Sequence, residues 1–219
     1  MKTILQCTEL FQEVNDLHKL YGCFDYSPIY GTGCIKKPKL MFLFMNPTGR
    51  NVSANLAWNG LRAPWLDTKN IWHMFYKLGL IKKEQLTYIQ NLQLKDWTSD
   101  FSEQLYKTIS NNNVYITNLA KCTQPDARSL RDCVFKAYLG NIQREILLVR
   151  PKQIVSFGNQ VSSILLGKSI KVSEYVNNHE ILEIDGNTFK VFPTYYPVGQ
   201  GMRNLDLAIK RIQTLIKNN

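Results

Sequence analysis

One stretch limits the folds open to this chain more than any other. Leu40-Met41-Phe42-Leu43-Phe44-Met45 is unbroken apolar sequence that stops abruptly at Asn46-Pro47-Thr48-Gly49. An apolar run of this length, bounded by turn formers, reads as a strand buried on both faces. Asn113-Val114-Tyr115-Ile116-Thr117-Asn118 and Phe189-Lys190-Val191-Phe192-Pro193-Thr194 repeat the pattern, and Arg150-Pro151-Lys152-Gln153-Ile154-Val155-Ser156-Phe157-Gly158-Asn159 holds a further short strand. Four strand ends then present Asn46, Asn118, Gly158 and Tyr196 toward one edge, where open α/β sheets bind their ligands. Taken alone, Asn46 is as well explained by an Asx-type turn ahead of Pro47. The motifs downstream tip the balance toward chemistry.

Between the strands the period changes. Leu10, Phe11, Val14, Leu17 and Leu20 recur at helical spacing, as do Ile71, Trp72, Phe75 and Leu78 before Gly79. Further helices are predicted over 83–110, 130–149, 160–166 and 205–216, with a long polar and aromatic loop over 51–68. Alternating strands and helices predict one α/β domain over 1–219, a three-layer α/β/α sandwich around a four-stranded parallel sheet. No repeat, linker or low-complexity tract interrupts it.

Lys and Arg number 27 against 17 Asp and Glu, a net charge of +10. That balance favours a polyanionic partner, nucleic acid above all, although a lysine excess equally serves solubility. The N-terminus is too interrupted by polar residues for a signal peptide, and no run approaches the ~18 apolar residues of a membrane span. A soluble, cytoplasmic, monomeric protein is expected, with no membrane or obligate protein partner. Five cysteines, an odd count without an export signal, argue for reduced thiols or a metal site rather than disulfides.

At these residues the chain resembles the uracil-DNA glycosylase superfamily, in matching order over 20–216. Tyr115 through Cys122, Leu148 through Val155 and Phe192 through Pro197 are similar to its iron-sulfur branch, family 4. Phe44-Met45-Asn46-Pro47-Thr48 instead resembles the Gly-Met-Asn-Pro-Gly of the single-strand-selective and mismatch-specific branches. The resemblance implies a monofunctional DNA glycosylase of base excision repair, hydrolysing the N-glycosidic bond of uracil or a related deaminated base. It gives Asn46 the water, Met45 and Trp65 the base pocket, with Trp65 at the stacking position, and Asn118 the reading of the base edge. Gly158 and Asn159, with Gly199, Gln200, Gly201, Met202 and Arg203, are expected at the DNA, the last group in the segment that penetrates the duplex. No lysine occupies a motif position, so strand-cleaving lyase chemistry is not implied.

Two motifs depart from the family. Tyr196 stands where a histidine normally precedes proline, and His18, His73 and His179 all lie elsewhere. A phenol can still donate to the base, so Tyr196 is kept as catalytic. The alternative is a non-catalytic or specialised DNA-binding member that has lost the motif histidine. Of the four positions that hold the branch's cluster, Cys23 and Cys122 match, but Tyr26 and Tyr138 occupy the others. No cofactor and no metal are expected, with Cys23 and Cys122 as buried thiols.

Overall fold

A computed structural model describes residues 8–128, 130–176 and 178–217. In chain order the elements are α1 (Thr8–Tyr21), β1 (Thr32–Gly33), β2 (Leu40–Phe44), α2 (Lys69–Lys77), α3 (Lys83–Asn91), α4 (Ser99–Asn111), β3 (Val114–Asn118), α5 (Asp132–Ala137), α6 (Leu139–Val149), β4 (Gln153–Phe157), α7 (Asn159–Leu166), β5 (Glu180–Ile184), β6 (Asn187–Thr194) and α8 (Leu205–Lys217).

Every residue of β2 is buried, because β2 lies inside the sheet with a strand on each side. The strand order is β1-β3-β2-β4-β6-β5. The four inner strands are parallel, in agreement with the expectation, whereas β1 and β5 add antiparallel edges, so the sheet has six strands rather than four. Both additions have simple causes. β1 is only two residues long, too short to carry a period. β5 turns into β6 at Asp185-Gly186, whose φ values of 47° and 73° are those of a type I′ hairpin turn.

Alternation along β2 divides the core. Phe42 and Phe44 pack on Trp72, Phe75, Leu105 and Ile212, from α2, α4 and α8. Met41 and Leu43 join Phe135, Ile142, Ile146 and Val161, from α5, α6 and α7, on the other face. Three layers follow.

Two predicted helices are each divided. α3 and α4 are separated by a segment that buries Trp97, and Thr98 restarts the helix by accepting a hydrogen bond from Phe101 N at 3.2 Å. The 130–149 helix tightens at Tyr138, whose N–H bonds Phe135 O, and so splits into α5 and α6. In α1 the expected stripe is narrower than its spacing suggested. Leu10 and Val14 are buried, but Phe11 and Leu20 are exposed.

Candidate active site

The chain leaving β2 and the chain leaving β3 run side by side beyond the sheet. Leu119 N bonds Phe44 O at 2.7 Å and Ala120 N bonds Met45 O at 3.0 Å; further out, Gln124 N reaches Pro47 O at 3.1 Å and Gly49 N reaches Gln124 O at 2.8 Å. Parallel strands in register end together, so Phe44 pairs with Asn118 at the last step of the ladder. The two asparagines are thereby carried on one hydrogen-bonded ledge.

Beside it lies a cleft of about 620 Å³, lined by Met45, Asn46, Trp65, Asn118, Tyr196, Gly199 and Gly201 among others. The Asn46 amide nitrogen donates to Pro47 O at 3.0 Å, which leaves Oδ1 as the end of the side chain without a partner among the described residues. Asn46 is therefore no Asx turn, in which Oδ1 would accept from the backbone, but a side chain tied down by its nitrogen with its carbonyl presented. Asn118 is 3% exposed, a nearly buried polar side chain at a strand end that lines the cleft.

Trp65 sits in left-handed backbone, φ 69°, a conformation costly for a bulky residue. Its neighbours hold it there. The Trp65 carbonyl accepts from Trp72 Nε1 at 3.0 Å and from Thr68 N at 3.0 Å, and the Pro64 carbonyl accepts from the Tyr106 hydroxyl. Asn51 ties the start of the long loop to its end: its Nδ2 donates to Ala63 O at 2.7 Å while its Oδ1 accepts from Ser53 N and Oγ. Phe44 is the common support. It stacks on Phe157 at 4.2 Å and meets Trp65 edge-on at 4.9 Å and Tyr196 edge-on at 6.3 Å.

The Tyr196 hydroxyl has no partner among the described residues, and burial pushes its ionisation above the ordinary tyrosine range. It remains a neutral donor at any ordinary pH. The backbone turns sharply behind it: a side chain at Gly201 would bring its Cβ within 1.8 Å of Tyr196 O. Gly201 therefore has to be glycine.

Not every expected position lines the cleft. Gly158 and Asn159 lie outside the lining, and the Gly158 N–H is committed to Thr194 O at 2.8 Å. That amide is thus engaged at the sheet edge. The amides open at that point belong to the first turn of α7, beginning at Asn159, whose side chain is itself engaged by Val172 N at 2.9 Å. Met202 and Arg203 are exposed beyond the rim, in the short 3-10 segment Gly199–Asn204. The Gln200 side chain lies outside the described residues. Arg50 and Arg128 line the cleft and were missed. Arg50 directly follows the Asn-Pro-Thr-Gly turn, which was a signal; Arg128 sits in an irregular polar run with none. Arg128 forms an exposed ion pair with Asp126 at 2.9 Å.

The donor set does not fit a four-thiolate cluster. Tyr138 is fully buried beside Cys122, its hydroxyl without a directed hydrogen bond, and burial pushes the Cys122 thiol up, away from the thiolate a ligand needs. Cys23 is partly exposed rather than buried, because it lies in the turn after α1, and its thiol meets Asp25 at 3.7 Å. Among the described residues no three His, Cys, Asp or Glu side chains converge.

A sequence profile of the uracil DNA glycosylase superfamily matches residues 30–215. The type-4 uracil-DNA glycosylase of Saccharolobus solfataricus is 31% identical over 93 residues, a stretch that covers 41% of this chain and 43% of that relative. The match thus spans less than half of the relative's length.

Proposed function

The chain belongs to the uracil DNA glycosylase superfamily, and from that premise we propose that it is a monofunctional DNA glycosylase acting on uracil or a related deaminated base in DNA. What supports this reading is the meeting of Asn46, Trp65, Asn118 and Tyr196 in one cleft at the carboxyl edge of the sheet. The target nucleotide would enter flipped from the helix, its base stacked on the Trp65 indole, a contact worth about 1–3 kcal/mol. Asn118 has a donor and an acceptor for a 4-oxo, 3-NH edge and mismatches the inverted edge of cytosine.

The bond from C1′ to the base nitrogen breaks with its electron pair leaving on the base. Tyr196 donates to a base carbonyl oxygen where that charge collects, and because the phenol is neutral it acts as a fixed dipole rather than a proton source. Asn46 Oδ1 accepts a hydrogen bond from the attacking water, whose oxygen closes on C1′ and whose proton passes to solvent. Arg50 and Arg128 contact the flanking phosphates. We place the protein in the cytoplasm as a monomer; among the described residues no helix is long and apolar enough to cross a membrane.

The replacement of the motif histidine by Tyr196 favours a second reading, a DNA-binding protein without excision. Oligonucleotides carrying uracil, hypoxanthine, xanthine or mismatched thymine, treated with alkali after incubation, separate the two. Strand breaks at one of these bases support the enzyme; tight binding without breaks at any of them supports the second reading.

A further inference from the structure

Beneath the cleft lies an ionic group that the proposed reaction does not use. Lys121 and Glu145 are both 0% exposed, with Lys121 Nζ 2.6 Å from Glu145 Oε2 in a charge contact rather than a directed hydrogen bond. Lys121 Nζ also donates to Thr117 Oγ1 at 2.5 Å and to the Asn118 carbonyl at 2.5 Å. Glu145 Oε1 in turn accepts from Thr117 Oγ1 at 2.8 Å and from the Tyr115 hydroxyl at 2.6 Å. Gly31 closes the cage from above, since a Cβ there would fall 2.3 Å from Glu145 Oε1 and 2.2 Å from the Tyr115 hydroxyl.

A buried ion pair is a poor way to gain stability. Apolar residues of the same volume serve a core as well or better, whereas removing one partner leaves an uncompensated charge. The pair here is spent at a particular point. β3 ends at Asn118, where the N–H of the Asn118–Leu119 peptide still bonds Phe44 O at 2.7 Å, and the carbonyl of that same peptide is the group that the lysine holds. Glu145, on α6, anchors that lysine from the opposite layer of the sandwich.

We infer that Lys121, charged against Glu145, is a positioning residue that clamps the Asn118 peptide and so fixes the angle at which the Asn118 amide meets the base. This rests on the glycosylase reading. The clamp acts on geometry, so its loss lowers the excision step and base recognition while leaving phosphate contacts intact.

The decisive variant is the neutral pair Lys121→Met with Glu145→Gln, which removes the clamp without stranding a charge. With thermal midpoint checked, single-turnover excision of the wild type's fastest base, DNA Kd and inhibition by that free base are compared with wild type. A clamp predicts excision down and free-base inhibition weakened, each about tenfold or more, with DNA Kd within about twofold. A folded double variant that excises and binds free base like wild type overturns the inference. Tyr115→Phe removes one hydrogen bond to Glu145 but keeps Lys121, its charge partner and its bond to Asn118, and is predicted to lower the thermal midpoint but preserve excision; a tenfold loss of rate in that variant would mean that any loosening beneath the cleft slows excision and overturns the clamp even if the double variant does not fold. If wild type excises no base at all, the glycosylase reading itself falls, an outcome distinct from either of these.

Discussion

Tyr196 sets what the cleft can do for a departing base. Its burial raises the energy of the phenolate, so the hydroxyl stays a donor above the pH at which a free tyrosine ionises, about 10. The excision rate is therefore predicted to show no alkaline loss from this residue up to about pH 10. Tyr196→Phe, which removes one donor to developing charge, is predicted to lower the rate by about 10²-fold at every pH, and Tyr196→His to maintain or raise it. Single-turnover rates between pH 7 and 10 check this. A wild-type rate already halved by about pH 10, while the Phe variant's stays flat, would mean that the phenol titrates normally. Trp65 belongs to the same scale. Its left-handed backbone costs on the order of 1–3 kcal/mol, offset by the bonds to its carbonyl and to that of Pro64, so the indole is held ready before any base arrives.

At the scale of elements, α1 is attached partly through a titratable side chain. His18 Nε2 meets Tyr26 O at 2.8 Å, and its Nδ1 is buried without a partner. Burial is the main cause that pulls its ionisation below the ordinary value of 6.5. The folded state thus binds the proton less readily than the unfolded chain. Stability is full above about 6.5 and is lost as pH falls from there toward the lower folded value. The thermal midpoint is predicted to drop between pH 7.5 and 5.5 more steeply in wild type than in His18→Gln; parallel curves would contradict the assignment. The elements also show what was legible in the chain. Buried strands such as β2 announce themselves by an apolar run that ends in turn formers; of the four strand-end residues, Asn46, Asn118 and Tyr196 line the cleft and Gly158 does not. β5 was missed although Asp185-Gly186 carries a hairpin signal, because its residues alternate between exposed and buried and Glu180 and Glu183 mask the apolar set. The break at Tyr138 carried only a weak local signal, Gly140 two residues on, which the apolar spacing on either side overrode. The Lys121 clamp was invisible for another reason: its partners Thr117, Asn118 and Glu145 meet only after β3 and α6 pack in different layers.

Across the whole molecule, the charge of +10 and the Arg50 and Arg128 rim predict binding to duplex DNA that weakens steeply with salt. Each neutralised phosphate contributes about −0.9 to the slope of log affinity against log salt. A slope steeper than about −2 is expected, and a salt-independent affinity would remove the positive surface from the account. The central claim is narrower: water attack at C1′, directed by Asn46 Oδ1, cleaves a deaminated base from DNA. It is tested most directly by single-turnover excision on the best of the four damaged oligonucleotides, wild type beside Asn46→Ala, with DNA Kd measured on the same preparations. The account predicts that wild type releases the base and that Asn46→Ala loses at least about 10²-fold in rate while binding DNA within about twofold of wild type. An Asn46→Ala protein that excises as fast as wild type would contradict it.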